Sequence, residues 1–118
     1  MNRQVELTHL AQQIESSQKI LTALGDETRQ RLILAMLSHR GCSGMRVGEI
    51  AEKTALSRPA VSHHLQILKN ARIIRVRKEG TKNYYSFDLD SLALDQLIST
   101  LAHAKSLMVS HEAESSRK

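Results

Sequence analysis

At 118 residues with 41% hydrophobic content, the chain has room for one packed domain and is too apolar to be disordered. No run approaches the roughly 20 apolar residues of a membrane span, and the opening MNRQVELTHLAQQ lacks the apolar core of a secretory signal. The lone Cys42 allows no internal disulfide, which points to a reduced cytoplasmic setting, and the net charge of +5 favours an anionic partner.

In chain order, Leu7, Leu10, Ile14, Ser17, Leu21 and Leu24 recur at 3–4 residue spacing and predict one helix over 5–24, ended by Gly25. Asp26 is the expected N-cap of a second helix, with Glu27 in its first turn and Leu32, Ile33, Met36 and Leu37 on its buried side. GCSG (41–44) reads as loop. A short helix from Val47 to Lys53 turns Ile50 and Ala51 inward. TALS (54–57) then connects it to a helix capped by Ser57, with Pro59 in the first turn where its missing N–H costs nothing. Residues 47–70 are therefore a helix-turn-helix candidate. Over 73–88 the period becomes two, with Ile74 and Val76 against Arg75 and Arg77, a KEGTK turn, then Tyr85 and Phe87 against Tyr84 and Ser86; this is a hairpin with Gly80 at its tip. Asp90 or Ser91 caps a last helix over 91–110 striped by Leu94, Leu97, Ile98, Leu101, Ala104 and Met108, and 111–118 reads as a flexible tail. The predicted fold class is mainly α with a small β-hairpin: a winged helix-turn-helix in which helices flank a two-stranded wing, with 1–118 as a single domain and 5–24 and 91–110 as dimerisation helices.

Positive charge is concentrated in the helix-turn-helix and wing. From Lys53 to Phe87 there are eight Lys or Arg against the single acid Glu79, while the rest of the chain holds nine basic and eleven acidic residues. Stepping about 100° per residue along the second helix, Val61, Leu65 and Leu68 share one side, with His64 at its edge, where it packs and hydrogen-bonds within the domain. The outward set is Arg58, Ser62, His63, Gln66 and Lys69. Arg forks onto guanine, and Ser can reach a base or a phosphate. Arg58, Ser62 and His63, at the helix start, are the candidates for base readout, and Gln66 and Lys69 for phosphate contact. On the wing, Arg77, Lys78 and Lys82 are candidate backbone contacts, whose counterion release makes binding salt-sensitive. Tyr84 and Tyr85 also raise stacking on single-stranded bases, although one of the two must pack under the wing.

LGDETRQRLILAML, VGEIAEKTALSRPAVSHHLQILKNARIIRVRKEG and NYYSFD resemble the bacterial ArsR/SmtB winged-helix repressors, over about residues 20–105 and with the quite specific core pattern LSxxxVSHHLxxLxxA. The resemblance implies a homodimer held by the first and last helices, bound to an inverted-repeat operator in double-stranded DNA and released by an effector. A two-fold dimer sets its recognition helices one DNA turn, about 34–36 Å, apart.

The family's metal-sensing positions are largely empty of ligands. Arg46, Val47 and Gly48 stand where a thiolate site has Cys-Val-Cys. In the zinc-type site on the last helix, Asp90 and His103 match, while Leu92 and Ser106 replace the other two ligands, and zinc takes four. A rearranged site with His103, His111 and Glu112 would need the tail to fold back, since eight residues span about 12 Å of helix. No metal site and no cofactor are therefore expected. Cys42 beside Arg40 and Arg46 has no resolving cysteine in the chain and reads as a neutral loop residue.

The expected function is sequence-specific regulation of transcription by a homodimeric repressor. The alternatives are a zinc-type repressor with a rearranged inter-subunit site, a non-specific architectural binder, and an interaction module that has lost DNA binding. The varied Ser, His and Gln of the groove face argue against the architectural binder, and the absence of acids between Lys53 and Glu79 argues against the interaction module. An enzyme is not expected, because the chain has no phosphate-binding glycine loop and no catalytic Cys–His–Asp arrangement.

Overall fold

Ser17 divides the first helical stretch. The computed structural model describes residues 2–41 and 43–116. In it, the single helix expected over 5–24 is two: α1 (Arg3–Ser16) and α2 (Gln18–Leu24). Ser17 Oγ donates back to the Gln13 carbonyl at 2.8 Å, a local bond that competes with helix continuation. Asn2 caps α1 by accepting from the Gln4 N–H at 2.7 Å. The described residues form two compact units, 19–91 and 2–18 with 92–116.

In residues 19–91, Asp26 caps α3 (Glu27–Leu37) by accepting from the Arg29 N–H at 2.9 Å. α4 (Val47–Thr54) ends on Ala55 in the left-handed region, φ 58°, and Ser57 caps α5 (Arg58–Asn70) at 3.3 Å from the Ala60 nitrogen. Arg72, φ 64°, then turns the chain into the wing. Strands β1 (Ile74–Glu79) and β2 (Lys82–Phe87) pair antiparallel with Ile74 opposite Phe87, Val76 opposite Tyr85 and Glu79 opposite Lys82. Gly80, φ 60°, supplies the positive φ that the two-residue turn requires. Leu32, Met36, Met45, Ile50, Val61, Leu65, Leu68 and Ile74 are buried here. At about 25 cal/mol per Å², apolar burial of this kind is the main favourable contribution to folding. Leu37, expected inside, is 65% exposed: it lies outside the buried Leu32 and Met36 side of α3.

Met45 adds a rung that periodicity does not reveal. Its N–H and carbonyl bond the Tyr85 carbonyl and N–H, both at 2.8 Å, tying the loop before α4 to β2. Gly44, φ 91°, precedes it, and a Cβ there would stand 2.8 Å from the Tyr85 carbonyl oxygen. Cys42 lies outside the described residues.

In the other unit, α1 packs on α6 (Ala93–Ser116). α6 begins at Ala93 rather than 91 and continues through Ser116, over most of the segment expected as a flexible tail. Its buried residues are Leu97, Thr100 and Leu107. Most of the expected apolar stripe faces outward: Leu94, Ile98, Leu101 and Met108 are 52–65% exposed, as are Val5, Leu7 and Ile14 of α1 at 40–53%. Among the described residues no helix is long and apolar enough to cross a membrane.

Candidate nucleic-acid interface

α5 is seated by Val61, Leu65 and Leu68, all fully buried, so its other side faces solvent. Arg58, Ser62, His63, Gln66 and Lys69 are all exposed there. The Arg58 guanidinium lies against α4, where a Cβ on Gly48 would come within 2.9 Å of its Nη2. Gln66 Nε2 donates to Asn70 Oδ1 at 3.0 Å, one helical turn on. Between these two near the helix start, Ser62 and His63 make no side-chain hydrogen bond among the described residues, and the His63 ring meets that of His64 edge-on at 5.5 Å.

His64 points the other way. Its Nδ1 is 3.3 Å from Arg29 Nη1. An arginine can only donate, so Nδ1 accepts and the ring proton sits on Nε2. Burial pushes the imidazole below the ordinary histidine value; the Arg29 and His63 charges add to this, and Asp26 opposes it. Arg29, 8% exposed, also donates from Nε to the Ala23 carbonyl at 2.8 Å and from Nη2 to the Thr22 carbonyl at 2.9 Å. It thus satisfies carbonyls left open at the end of α2 and joins that end to the recognition helix. The bond from its backbone N–H holds the Asp26 carboxyl below the usual carboxylate range. From sequence, Arg29 is one more cation on a helix; only the buried position of α2's last turn gives it this role.

On the wing, Lys78 and Lys82 are exposed beside the tip. Arg77 is more constrained: it stacks on the Tyr84 ring at 4.7 Å, donates to the Ser43 carbonyl at 2.9 Å and pairs with Glu79 at 3.0 Å. Arg75 pairs with Asp90 at 3.1 Å. Tyr84 is therefore covered by Arg77, and Tyr85 belongs to the Met45 rung. The register places Lys78 opposite Asn83 and Lys82 opposite Glu79, on opposite faces of the wing near its tip, while the five outward residues are exposed on α5 and Arg77 is held by Tyr84, Glu79 and the Ser43 carbonyl.

The family model described as "Bacterial regulatory protein, arsR family" matches residues 26–76, from the Asp26 cap into β1. An HTH-type transcriptional regulator of Methanocaldococcus jannaschii is 44% identical over 71 residues, 60% of this chain and 76% of that one. The transcriptional repressor SdpR of Bacillus subtilis is 39% identical over 69 residues, 58% of this chain and 72% of its own. The chain belongs to the ArsR family. Among solved structures, a predicted DNA-binding transcriptional regulator from E. coli is similar with a TM-score of 0.57 and 31% identity, over 83% of this chain and 98% of that one. A homodimeric winged helix-turn-helix domain from Mycobacterium bovis gives a TM-score of 0.52 at 26% identity, over 85% of this chain and 86% of that one. The fold is a winged helix-turn-helix.

The side chains weighed as metal ligands in the sequence have the following surroundings. The Asp90 carboxylate is held by Arg75. His103 is half-buried against α1, with Nδ1 at 2.7 Å from Gln13 Oε1, Nε2 at 3.9 Å from Glu6 and its ring 5.4 Å from that of His9. His111 and Glu112 are exposed on α6. Among the described residues no group of three His, Cys, Asp or Glu side chains is placed to hold a metal ion.

Proposed function

We propose that this ArsR-family regulator is a homodimeric repressor that binds an inverted-repeat operator in double-stranded DNA and acts in the cytoplasm by binding, not catalysis. The observation that carries the reading is the contrast between the two sides of α5. One side is locked into the core, and the other offers Arg58, Ser62, His63, Gln66 and Lys69 beside a wing tipped by Lys78 and Lys82. Hydroxyl and imidazole groups near the helix start suit base edges, and the cations suit phosphates. Repression accords with the similar B. subtilis repressor SdpR. Dimerisation accords with the homodimeric M. bovis domain and with the apolar residues that α1 and α6 leave exposed in one chain.

The test is fluorescence anisotropy on the duplex upstream of the protein's own gene beside a scrambled duplex, first with chelator and then with zinc. Light scattering measures the mass in parallel. Selective binding by a dimer is expected, unchanged by zinc. Equal affinity for both duplexes would make it an architectural binder, and a monomer that still binds selectively would overturn the dimer. Release by zinc would establish a sensor.

A further inference from the structure

Between α4, the start of α5 and the wing tip lies a groove of about 810 Å³ whose lining includes Arg46, Gly48, Glu52, Arg58, Thr81 and Asn83. Gly48 leaves room in it: the Arg58 guanidinium occupies space that a side chain at position 48 would claim. Arg46 and Arg58 line the groove together with Glu49 and Glu52, and neither arginine makes a side-chain ion pair among the described residues. Asn83, opposite Lys78 in the wing, has a buried side-chain oxygen with no hydrogen-bond partner. An unsatisfied buried acceptor costs about 1–3 kcal/mol and calls for a reason. Asn83 also lines the groove, and its amide N–H groups are donors like those of the two guanidinium groups.

The acids of the groove are unequal. One oxygen of the Glu49 carboxylate accepts from the Arg46 backbone N–H at 3.0 Å, which directs it toward the helix start while it keeps its charge. Glu52 is exposed and opposes an anion.

We propose that this groove holds one backbone phosphate of the bound duplex, on the strand that passes between the recognition helix and the wing, with Arg46, Arg58 and the Asn83 amide as its donors. Planar guanidinium groups suit a phosphate in forked, charge-assisted geometry. The inference rests on the DNA-binding reading above and adds Arg46 and Asn83, assigning Arg58 to the backbone instead of a base edge. Ser62 and His63 then carry the readout.

The experiment measures anisotropy on a set of operator duplexes, each carrying one neutral methylphosphonate linkage per half-site. The wild type is compared with Arg46→Gln, Asn83→Asp, Glu52→Gln and, as a wing control, Lys82→Ala. For the wild type, one linkage is expected to weaken binding about fivefold. Arg46→Gln and Asn83→Asp should weaken operator and scrambled duplex alike and be insensitive to that linkage, while Glu52→Gln tightens binding. Melting curves establish that each variant is folded; should Asn83→Asp fail to fold, Arg46→Gln decides alone. Wild-type affinity and wild-type linkage sensitivity in Arg46→Gln, with Lys82→Ala still impaired, would overturn the phosphate site and leave the DNA-binding reading intact. Failure of the wild type to bind any duplex would remove both.

Discussion

Arg29 Nη1 lies 3.3 Å from His64 Nδ1, and through this contact the recognition helix is tied to the last turn of α2. The bond requires a neutral imidazole, so it makes stability depend on pH. His64 has its folded pKa lowered below the ordinary 6.5, chiefly by burial. The unfolded chain therefore takes up that proton first. The stabilisation is complete above 6.5 and is lost as pH falls through the unfolded value toward the folded one. The wild-type urea midpoint should fall between pH 7.5 and 5.5. In His64→Asn, which keeps an acceptor but cannot titrate, the fall should be smaller; an equal fall in both would show that other groups set the dependence.

Asp26 contributes a second, more acid window. Its folded pKa is lowered below 3.8, mainly by the backbone bond from Arg29, so that contribution is present above 3.8 and disappears as pH drops through the folded value. Asp26→Asn should remove this lower window and, because the Asp26 charge holds the His64 pKa up, widen the His64 window, read from the same midpoints extended to pH 3.

Removing the Arg29 guanidinium leaves one buried carbonyl, one part-buried carbonyl and one ring nitrogen without their donor. Hydrogen bonds to charged groups are worth about 1.5–3 kcal/mol each, and some carbonyls will recruit water. Arg29→Met should cost about 2–4 kcal/mol in denaturant unfolding. Arg29→Lys should recover less than half, because an ammonium cannot span three acceptors in a plane. Full recovery by lysine would reduce the contact to charge alone.

Base readout and backbone contact separate by their effect on two duplexes. Ser62→Ala and His63→Ala should each weaken operator binding by about 1–3 kcal/mol and random-duplex binding by much less. Equal losses on both would remove these residues from readout.

Lys82→Ala should weaken both duplexes about equally and flatten the dependence of log affinity on log salt by roughly one unit. Arg77→Ala should flatten it less, since Glu79 at 3.0 Å already neutralises part of its charge. A full unit lost in Arg77→Ala would mean that the pair opens on the duplex.

Much of the outward-facing arrangement of α5 and the wing is legible in the sequence because it depends on local periodicity. Steps of about 100° separate Val61, Leu65 and Leu68 from Ser62 and His63, and give the adjacent histidines different surroundings, as the structure does: His63 is exposed and His64 is bonded to Arg29. Alternation and Gly80 likewise mark the wing. What depends on distant partners is not legible in the same way. Arg29 finds its acceptors on α2 and α5, Arg77 reaches the Ser43 carbonyl, and Met45 pairs across to Tyr85. The α6 stripe is a different case. Periodicity identifies the apolar residues, but Leu94, Ile98 and Leu101 face outward while Leu97, Thr100 and Leu107 are buried. Spacing alone does not say which side a single chain buries.

The rung between Met45 and Tyr85 has a mechanical consequence. Met45 stands two residues before α4, and Tyr85 lies in the strand that returns from the wing tip, so any displacement of the tip is transmitted through two 2.8 Å bonds to the base of the helix-turn-helix. The wing is thus stapled by this rung to the loop before α4, while Gly80 at its tip lies in open space. On the proposed reading, a duplex that presses on the tip loads the start of the helix-turn-helix as well.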